Sequence, residues 1–242
     1  MGPILCQYPN TPNWSHERNG NMKTTWSVIG IPPEATHDWL LKKHYAKRIP
    51  SIMYSFGVYV GHLLQGIITY GEPASPPLCK GICGEIHSDS VIELNRLCIS
   101  DDHDANLASY FVSRSLRLLP KPSIVVAFAD THMQHIGYVY QASNFLYTGL
   151  SARHLDWVES GANAHSRSTV RSFTTEQRLA DPERFVQVER TRKHRYVYFT
   201  GTRKQVKKLQ GDLNYPIQPY PKGEPAQYDS GLDVPTQMAL LS

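Results

Sequence analysis

A strand, a helix and a second strand follow one another between Val91 and Asp130, and this unit most constrains the fold. "VIELNRLCI" has the composition of a strand. "ANLASYFVSRSLRLL" is an amphipathic helix, and "SIVVAFAD" is a continuous apolar run typical of a strand covered on both faces. Two strands joined by a helix predict a parallel crossover, and ligands of open α/β sheets collect at the carboxyl ends of such strands. The apolar stripe of the helix consists of Leu107, Phe111, Val112, Leu116 and Leu119.

The surrounding elements extend this unit into a mixed sheet. "TTWSVIGI" reads as a strand, "PPEATHDWLLKKHY" as a helix, and two further strands meet at a short break at Gly61 and His62 that fits a hairpin. "EPASPPLCKGICGE" is interpreted as a Pro/Gly loop. The pattern predicts an α/β (α+β) fold with a central mixed, twisted sheet flanked by helices and a basic C-terminal extension.

Four regions are expected along the chain. Residues 1–22 are polar and are predicted to be loosely ordered, and residues 23–150 form the catalytic core. Residues 151–186 lack apolar periodicity and are interpreted as an insertion or linker. Residues 187–242 are predicted to form a basic strand and helix with a Pro-rich tail, packed on the core.

Composition excludes several classes of protein. The chain has 242 residues with 40% hydrophobic content, enough for a full core, and no apolar run approaches the length of a membrane span. We therefore expect a soluble, intracellular protein without a membrane partner. Four cysteines are too few for a disulfide scaffold, and the spacing of Cys79 and Cys83 is not followed by a second pair of zinc ligands.

Polar residues interrupt the first strand of the crossover. Strand alternation places Glu93 and Asn95 on one face and Arg96 on the other. Buried charge is costly unless it is paired, so these residues form either a structural ion pair or a reaction centre. Arg96 has the geometry to clamp a carboxylate, a phosphate or an acyl carbonyl.

Candidate acid and base groups lie at the ends of neighbouring elements. Asp130 follows the apolar run "VVAFA" and is either a general base or the N-cap of the next short helix. His44 falls on the apolar face of its helix, as a general acid or base or as a hydrogen-bonded core residue. His132 and His135 are either metal ligands with Asp130 or exposed residues of a first helical turn.

Two further groups are candidates for contacts with a ligand. An aromatic and amide cluster suits stacking on a flat base, or aromatic packing on the sheet edge. Ser115 interrupts the apolar stripe of the central helix and either faces a ligand or permits close packing. The cluster consists of Tyr138, Tyr140, Gln141, Asn144 and Tyr147.

Basic residues are concentrated near the C-terminus. Residues 190–222 contain nine Lys and Arg residues against one acidic residue, interleaved with aromatic residues. Such a segment is either a phosphate-binding surface or a solvated face. The candidates for DNA contact are Arg190, Arg192, Lys193, Arg195, Arg203, Lys204, Lys207 and Lys208.

The order of elements resembles the GNAT acyltransferase fold, in which an acyl-CoA lies between two splayed parallel strands. The chain resembles the phage Mom family over about residues 36 to 225. Five segments carry the resemblance: "ELNRLCISDD", "SRSLRLLPKPSIVVAFADT", "HIGYVYQASNFLYTGLS", "RKHRYVYFTG" and "YPIQPYPKG". The resemblance implies a phage-encoded transferase that acts in the host cytoplasm. It would place a carbamoylmethyl group on the exocyclic amine of adenine in double-stranded DNA, and so protect that DNA from host restriction.

The resemblance also implies roles for the candidate residues. Arg96 orients the donor or a catalytic carboxylate, Asp130 or His44 removes the proton from the adenine amine, and Tyr140 contacts the donor or the flipped base. Glu93 and Asn95 hold the neighbouring strand or the donor amide, and with Ser115 they are the candidates for binding the cofactor.

The cofactor is not determined by the sequence. Acyltransferases of this fold hold the CoA pyrophosphate with a Gly-rich turn, whereas the corresponding "SDDHDAN" has no glycine and three Asp residues that repel phosphate. An acyl-CoA-type donor and iron, held by Asp130, His44 and Tyr140, both stay open.

Two other functions compete with DNA modification. A GNAT-like acyltransferase acting on a small amine or protein predicts acyl-CoA binding and no requirement for DNA. A non-catalytic DNA-binding protein predicts salt-sensitive binding and unmodified nucleosides. The sequence does not indicate the oligomeric state.

Overall fold

The parallel pair of strands predicted from the sequence lies near the middle of a seven-stranded sheet. In the computed structural model, which describes residues 25–73, 75–161 and 172–223, the strand order is β1-β2-β3-β4-β5-β9-β6. The expected loosely ordered segment 1–22 lies outside the described residues. The strands of this sheet are β1 Trp26–Gly30, β2 Tyr54–Val60, β3 Leu63–Gly71, β4 Val91–Ile99, β5 Ser123–Asp130, β6 Leu146–Leu150 and β9 Lys193–Thr200.

Helices cover both faces of the sheet, so the predicted α/β class with a mixed, helix-flanked sheet is confirmed. They are α1 Pro76–Cys83, α2 Leu107–Leu118, α3 Tyr138–Ala142, α4 Thr175–Ala180 and α5 Arg203–Gly211. A 3-10 helix at Pro33–Thr36 and a π-helix at Trp39–Lys43 precede β2. No helix among the described residues is long and apolar enough to cross a membrane.

The crossover β4–α2–β5 creates a cleft. β4 and β5 pair in parallel only over residues 91–94 and 124–127, and beyond that point the two strands separate. The predicted apolar stripe of α2 is buried on one face of the sheet. On the opposite face, α1 and α5 pack over β4, β5 and β9, while the π-helix packs over β3 and β4. The carboxyl ends of β4 and β5 are therefore open between two layers.

Two local predictions were wrong or incomplete. The segment interpreted as a loop, "EPASPPLCKGICGE", contains α1, because its prolines lie in the first helical turn and Ile82 and Cys83 are buried in the core. The predicted first helix is present, but its second half is wound as a π-helix.

The C-terminal regions are joined closely to the sheet. β9 lies inside the sheet between β5 and β6. Within the predicted insertion 151–186, β7 Leu155–Glu159 pairs with β8 Phe185–Glu189 as a separate two-stranded ribbon, which begins and ends beside the open end of β5. Residues 162–171 of this insertion and 224–242 of the predicted tail lie outside the described residues. The four-region division stays a prediction.

Candidate active site

A cavity of about 510 Å³ occupies the gap where β4 and β5 separate. Its lining comes from the π-helix, the second half of β4, the start of α2 and the segment around α3. His44, Arg96 and Tyr140 line it together, although they are far apart in the sequence. The cavity is within the size range of small-molecule sites, and it lies at the carboxyl ends of parallel strands, where the sequence predicted a ligand.

A β-bulge decides which way Arg96 points. The β3–β4 register shifts so that Thr69 pairs with Arg96 while Tyr70 pairs with Leu94, which leaves Asn95 as the extra residue. Leu94 and Leu97 both contact the core beneath α2, so Glu93 and Arg96 share the opposite face. The predicted alternation, with Arg96 opposite to Glu93, is therefore wrong, and the two charges are close enough for Glu93 to raise the pKa of Arg96.

The guanidinium of Arg96 is only partly satisfied by protein. Its Nη1 donates to the backbone carbonyl oxygen of Asn95 at 2.6 Å, whereas its buried Nε–H finds no acceptor among the described residues. Burial and then Arg48 lower its pKa, yet a guanidinium keeps its charge in proteins. The residue nevertheless lines the cavity, and a charged guanidinium there is suited to bind an oxygen of a bound molecule.

Asn95 connects the bulge to the rim of the cavity. Its side-chain oxygen accepts from Thr69 Oγ1 at 2.6 Å, and its amide nitrogen donates to the carbonyl oxygen of Ser51 at 2.8 Å. Ser51 belongs to residues 45–53, which we call the rim loop. Because both ends of the amide are engaged in this way, the structure supports the predicted alternative in which Asn95 holds the neighbouring strand, and not the one in which it contacts the donor amide.

The π-helix holds His44 in one orientation. The His44 backbone N–H donates to the Trp39 carbonyl oxygen at 2.9 Å, and its ring Nδ1 accepts from the Ala46 N–H at 3.1 Å. Burial, followed by the charges of Arg96, His135 and Arg48, lowers the pKa of His44 to about 3. The neutral ring therefore carries its proton on Nε2 and acts as a donor, which argues against His44 as the base.

Tyr45 and His135 belong to the site but were not assigned to it as catalytic groups from the sequence. Tyr45 stacks on His44 at 4.4 Å between ring centroids and meets His135 edge-on at 5.8 Å. Burial lowers the pKa of His135, and burial and then Asp130 raise that of Tyr45. The adjacency of Tyr45 to His44 in the chain was the available signal, whereas the approach of His135 depends on tertiary packing.

Asp130 lies at the edge of this group and both caps a helix and pairs with a cation. Its Oδ1 accepts from the His132 backbone N–H at 3.0 Å at the start of the 3-10 helix Thr131–Met133, and its Oδ2 lies 3.1 Å from Lys193 Nζ. Its charge acts on both Tyr45 and His135. The two roles considered for Asp130, a cap and an ionised group near the reaction centre, are compatible in this geometry.

The aromatic cluster divides into a buried part and an exposed part. Tyr140 packs against Phe145 and Tyr196 at 5.4 Å between centroids, and burial raises the pKa of its hydroxyl, which therefore stays protonated. Tyr138 is 61% exposed and lines the cavity at its mouth. Tyr147 donates to or accepts from His194 and does not line the cavity.

Ser115 does not reach the cavity. Its side chain is fully buried, and its hydroxyl lies 2.6 Å from the Tyr70 hydroxyl and 2.9 Å from the Val112 carbonyl oxygen. The predicted contact with a cofactor is contradicted, because α2 turns this residue into the core, where a small polar side chain is satisfied internally.

The predicted basic surface is not continuous. Arg190 is paired with Asp156 through two hydrogen bonds, Arg192 donates to the Ser151 carbonyl oxygen, and Lys193 is paired with Asp130. Four exposed cations, Arg203, Lys204, Lys207 and Lys208, lie on α5, which begins near the end of the sheet opposite to the cavity.

Arg195 cannot contact DNA as predicted. It is 7% exposed, donates from Nε and Nη2 to Thr148, and lies under the ring of Tyr215 with its Cζ 3.4 Å from the centroid. Strand alternation and the tail that crosses β9 turn this guanidinium inward.

The turn before α2 is acidic and already engaged. Asp101 pairs with Lys43, and Asp104 accepts from the indole N–H of Trp26 at 3.2 Å. Asp101, Asp102 and Asp104 are all exposed, so a pyrophosphate approaching the N-terminus of α2 would meet carboxylates.

The described residues bring together no group of three His, Cys, Asp or Glu side chains that could hold a metal ion. The iron ligands implied by the resemblance contain one carboxylate, already paired with Lys193, one imidazole and one protonated phenol. This arrangement does not form a ready-made iron site, so no step is derived through a metal.

Comparison with known proteins supports the resemblance. A match to the Mom protein family covers residues 25–222. Over 191 residues, the chain is 31% identical to the methylcarbamoylase Mom of Escherichia phage Mu. The aligned region covers 74% of this chain and 77% of that protein.

Solved structures with a similar arrangement are acetyltransferases. One is an IAA acetyltransferase from Bacillus cereus, with 10% sequence identity and a TM-score of 0.39. The match covers 73% of this chain and all of that chain. Another is a GNAT-family acetyltransferase from Streptococcus pneumoniae, with 8% sequence identity and a TM-score of 0.39. The match covers 73% of this chain and 99% of that chain. Likeness at this level carries no functional assignment, which depends on the sequence match. From residue 25 to residue 222, the chain belongs to the Mom protein family.

Proposed function

We propose that this protein is a DNA-modifying transferase that places a carbamoylmethyl group on the exocyclic amine of adenine in phage DNA. The observation that carries the proposal is the cavity between β4 and β5, which the guanidinium of Arg96 lines together with His44 and Tyr140. The similarity to a methylcarbamoylase supports the reaction class. Protection of the phage genome from host restriction, in the host cytoplasm, follows from such a modification.

Adenine must leave the base stack to reach this cavity. Its exocyclic amine is paired inside the duplex, so the base is expected to flip out. Tyr138, exposed at the mouth, supplies a ring on which the flipped base stacks, and Tyr140 offers a protonated hydroxyl deeper inside. The aromatic wall distinguishes a planar base from an aliphatic amine.

Donor and proton have separate partners in the site. Arg96 donates from the part of its guanidinium that lines the cavity to an oxygen of the donor, and the nearby Glu93 balances its charge. The neutral ring of His44 donates from Nε2 to a second acceptor. When the amine nitrogen bonds to the methylene carbon of the donor, the bond between that carbon and its leaving group breaks, and the leaving group departs with the bonding electrons. The nitrogen loses one proton, and Asp130 accepts it, its carboxylate being held in place by Lys193 and the His132 N–H.

The DNA backbone is contacted on more than one surface. The exposed cations of α5 are suited to phosphates at a distance from the target base. Arg190, Arg192 and Lys193 are better explained as residues that hold the ribbon and Asp130 in place, since each has a partner within the protein.

The test is expression of the protein in a bacterial host, followed by digestion of the cellular DNA and mass spectrometry of the nucleosides. The wild type should yield a deoxyadenosine heavier by one carbamoylmethyl group, and Asp130→Asn should abolish it. Arg114→Lys, a change on the outer face of α2, serves as the control and should leave the modified nucleoside unchanged.

Other results would favour the competing functions. Salt-sensitive DNA binding with unmodified adenosines from soluble protein would indicate a binding protein. Tight binding of acetyl-CoA without a requirement for DNA would indicate an acyltransferase for small amines or proteins, a result that the acidic turn before α2 argues against.

A further inference from the structure

The rim loop is anchored firmly at its start. The Ala46 backbone N–H donates to the His44 ring, and the Lys47 N–H donates to the His44 carbonyl oxygen at 3.0 Å. Lys47 has a φ of 42°, in the left-handed region, so the chain turns sharply at this residue. The first half of the loop is therefore fixed relative to a residue that lines the cavity.

The far end of the loop is anchored as well. Ser51 accepts from Asn95 in the bulge of β4, and the Met53 N–H donates to the Tyr70 carbonyl oxygen at 2.7 Å. With both ends tied to the sheet, the middle of the loop is a short projection of constant position rather than a free segment.

Three consecutive side chains on this projection face solvent. Lys47 and Arg48 are exposed, and neither makes an ion pair or side-chain hydrogen bond within residues 25–73, 75–161 and 172–223. Ile49 follows with 42% of its surface exposed. By contrast, the nearby Lys42 and Lys43 are paired with Asp38 and Asp101. Two unpartnered cations next to an exposed isoleucine are not explained by the folding of the protein itself.

The projection lies at the mouth of the cavity. Tyr45, at the start of the loop, lines the cavity, and so does Asn95, whose amide holds the Ser51 carbonyl oxygen at 2.8 Å. The charge of Arg48 acts on His44 and Arg96, which also line it. A macromolecule whose base enters the cavity must therefore have its adjoining backbone close to Arg48.

Duplex DNA is the partner that matches both parts of this surface. Phosphates flank any flipped nucleotide and attract Lys and Arg, while apolar side chains inserted between base steps are used to hold an opened stack. A folded acidic protein would account for the cations but not for an isoleucine exposed next to them.

We propose that the rim loop holds DNA beside the cavity, with Lys47 and Arg48 on the phosphates that flank the target adenine and Ile49 in the space vacated by the flipped base. This inference rests on the proposed function. It makes Asn95 a positioning residue, because its bond to Ser51 sets where the loop stands.

Binding of a fluorescent duplex, followed by anisotropy over a range of NaCl concentrations, tests the cations. Lys47→Ala with Arg48→Ala should weaken binding at least about tenfold near physiological salt and reduce the log–log salt slope by about 2. The matched control is Lys47→Arg with Arg48→Lys, which exchanges the two side chains but keeps both positive charges on the loop. This control should bind as the wild type does.

Ile49 is tested by the modified nucleoside in cells together with DNA affinity. Ile49→Ala should leave affinity within about twofold, yet lower modification at least about tenfold, because the flipped state loses its support. Ile49→Leu should restore most of the DNA modification. The control Ile86→Ala, at an isoleucine that is 86% exposed before the amino end of β4, should match the wild type in both measurements.

The outcomes separate the two proposals. If the wild type leaves adenosines unmodified, the proposed function fails, and the rim-loop inference fails with it. If the wild type modifies DNA but the Lys47 and Arg48 double variant keeps the wild-type affinity and salt slope, only the rim-loop inference is overturned. Equal losses in the Lys47→Arg, Arg48→Lys control would likewise overturn it, since the two positive charges would then not account for binding.

Discussion

The side-chain amide of Asn95 donates to the carbonyl oxygen of Ser51 at 2.8 Å and joins the bulge of β4 to the rim loop. The same bulge turns Arg96 to the face that carries Glu93. One irregular residue therefore determines both the direction of the guanidinium and the position of the loop at the mouth of the cavity.

Replacing Asn95 should distinguish the contribution of its amide to the stability of the sheet from its effect on the position of the rim loop. Asn95→Ala and Thr69→Val each remove the Thr69–Asn95 hydrogen bond, and each should lower the free energy of unfolding by about 1 kcal/mol. Only Asn95→Ala also releases Ser51, so only this variant should lose DNA affinity. Urea unfolding and anisotropy measure the two effects, and equal affinities for the two variants would contradict the positioning role.

Gly71 makes room for the same carbonyl group. A Cβ at Gly71 would collide with the Ser51 carbonyl oxygen and come within 2.9 Å of Asn95 Nδ2. Gly71→Ala should therefore lower the free energy of unfolding by about 1–3 kcal/mol, as overpacking does, and reduce DNA modification. Gly211→Ala, where a Cβ meets no atom within 4 Å, is the matched control and should not destabilise the protein. A stable, active Gly71→Ala protein would show that the loop moves freely.

His44 should make the protein less stable as the pH falls. Its folded pKa of about 3 lies below the usual 6.5, so the unfolded chain binds more protons between these values, and the free energy of unfolding rises with pH across that window. The slope should approach about 1.4 kcal/mol per pH unit and should flatten in His44→Asn. His135 and His194, whose pKa values are also lowered, leave a residual slope.

Urea unfolding at pH values from roughly 4.5 to roughly 6.5, inside the window between the two pKa values of His44, measures this dependence. His62→Asn, on the exposed turn between β2 and β3, is the control and should keep the wild-type slope. An unchanged slope in His44→Asn would show that His44 is not the buried neutral imidazole described above.

Arg96 should not be replaceable by lysine. The guanidinium bonds through Nη1 to the Asn95 carbonyl oxygen and also lines the cavity, and an ammonium group lacks the planar fork that serves both contacts. Arg96→Lys should lower the yield of modified adenosine at least about tenfold at an unchanged melting temperature. Full activity of the lysine variant would mean that only the positive charge matters.

Tyr138 is expected to act through its ring rather than its hydroxyl. Tyr138→Ala should reduce modification by a factor corresponding to about 1–3 kcal/mol of lost stacking, whereas Tyr138→Phe should behave as the wild type. Both variants should fold normally, because the side chain is 61% exposed. Nucleoside mass spectrometry decides the point, and loss of activity in Tyr138→Phe would assign the role to the hydroxyl instead.

The sequence by itself determined the parallel crossover, the fold class and the family. The apolar stripe of α2 and the apolar run of β5 are local periodic patterns, and such patterns encode which face of an element is buried. The same logic placed Asp130 at the open end of a strand, where the structure shows it beside the candidate site. The sequence motifs identified the family, and the match over residues 25–222 confirms it.

Only the tertiary structure decided which side chains meet. Alternation along β4 placed Arg96 on the wrong face, because a bulge depends on the register with β3 and not on the strand's own residues. Ser115 and Arg195 were assigned to ligands from their polarity, but Tyr70 and Thr148 satisfy them inside the protein. Partners distant in sequence determine whether a polar group is free to bind a ligand, and one strand or helix read alone does not contain that information.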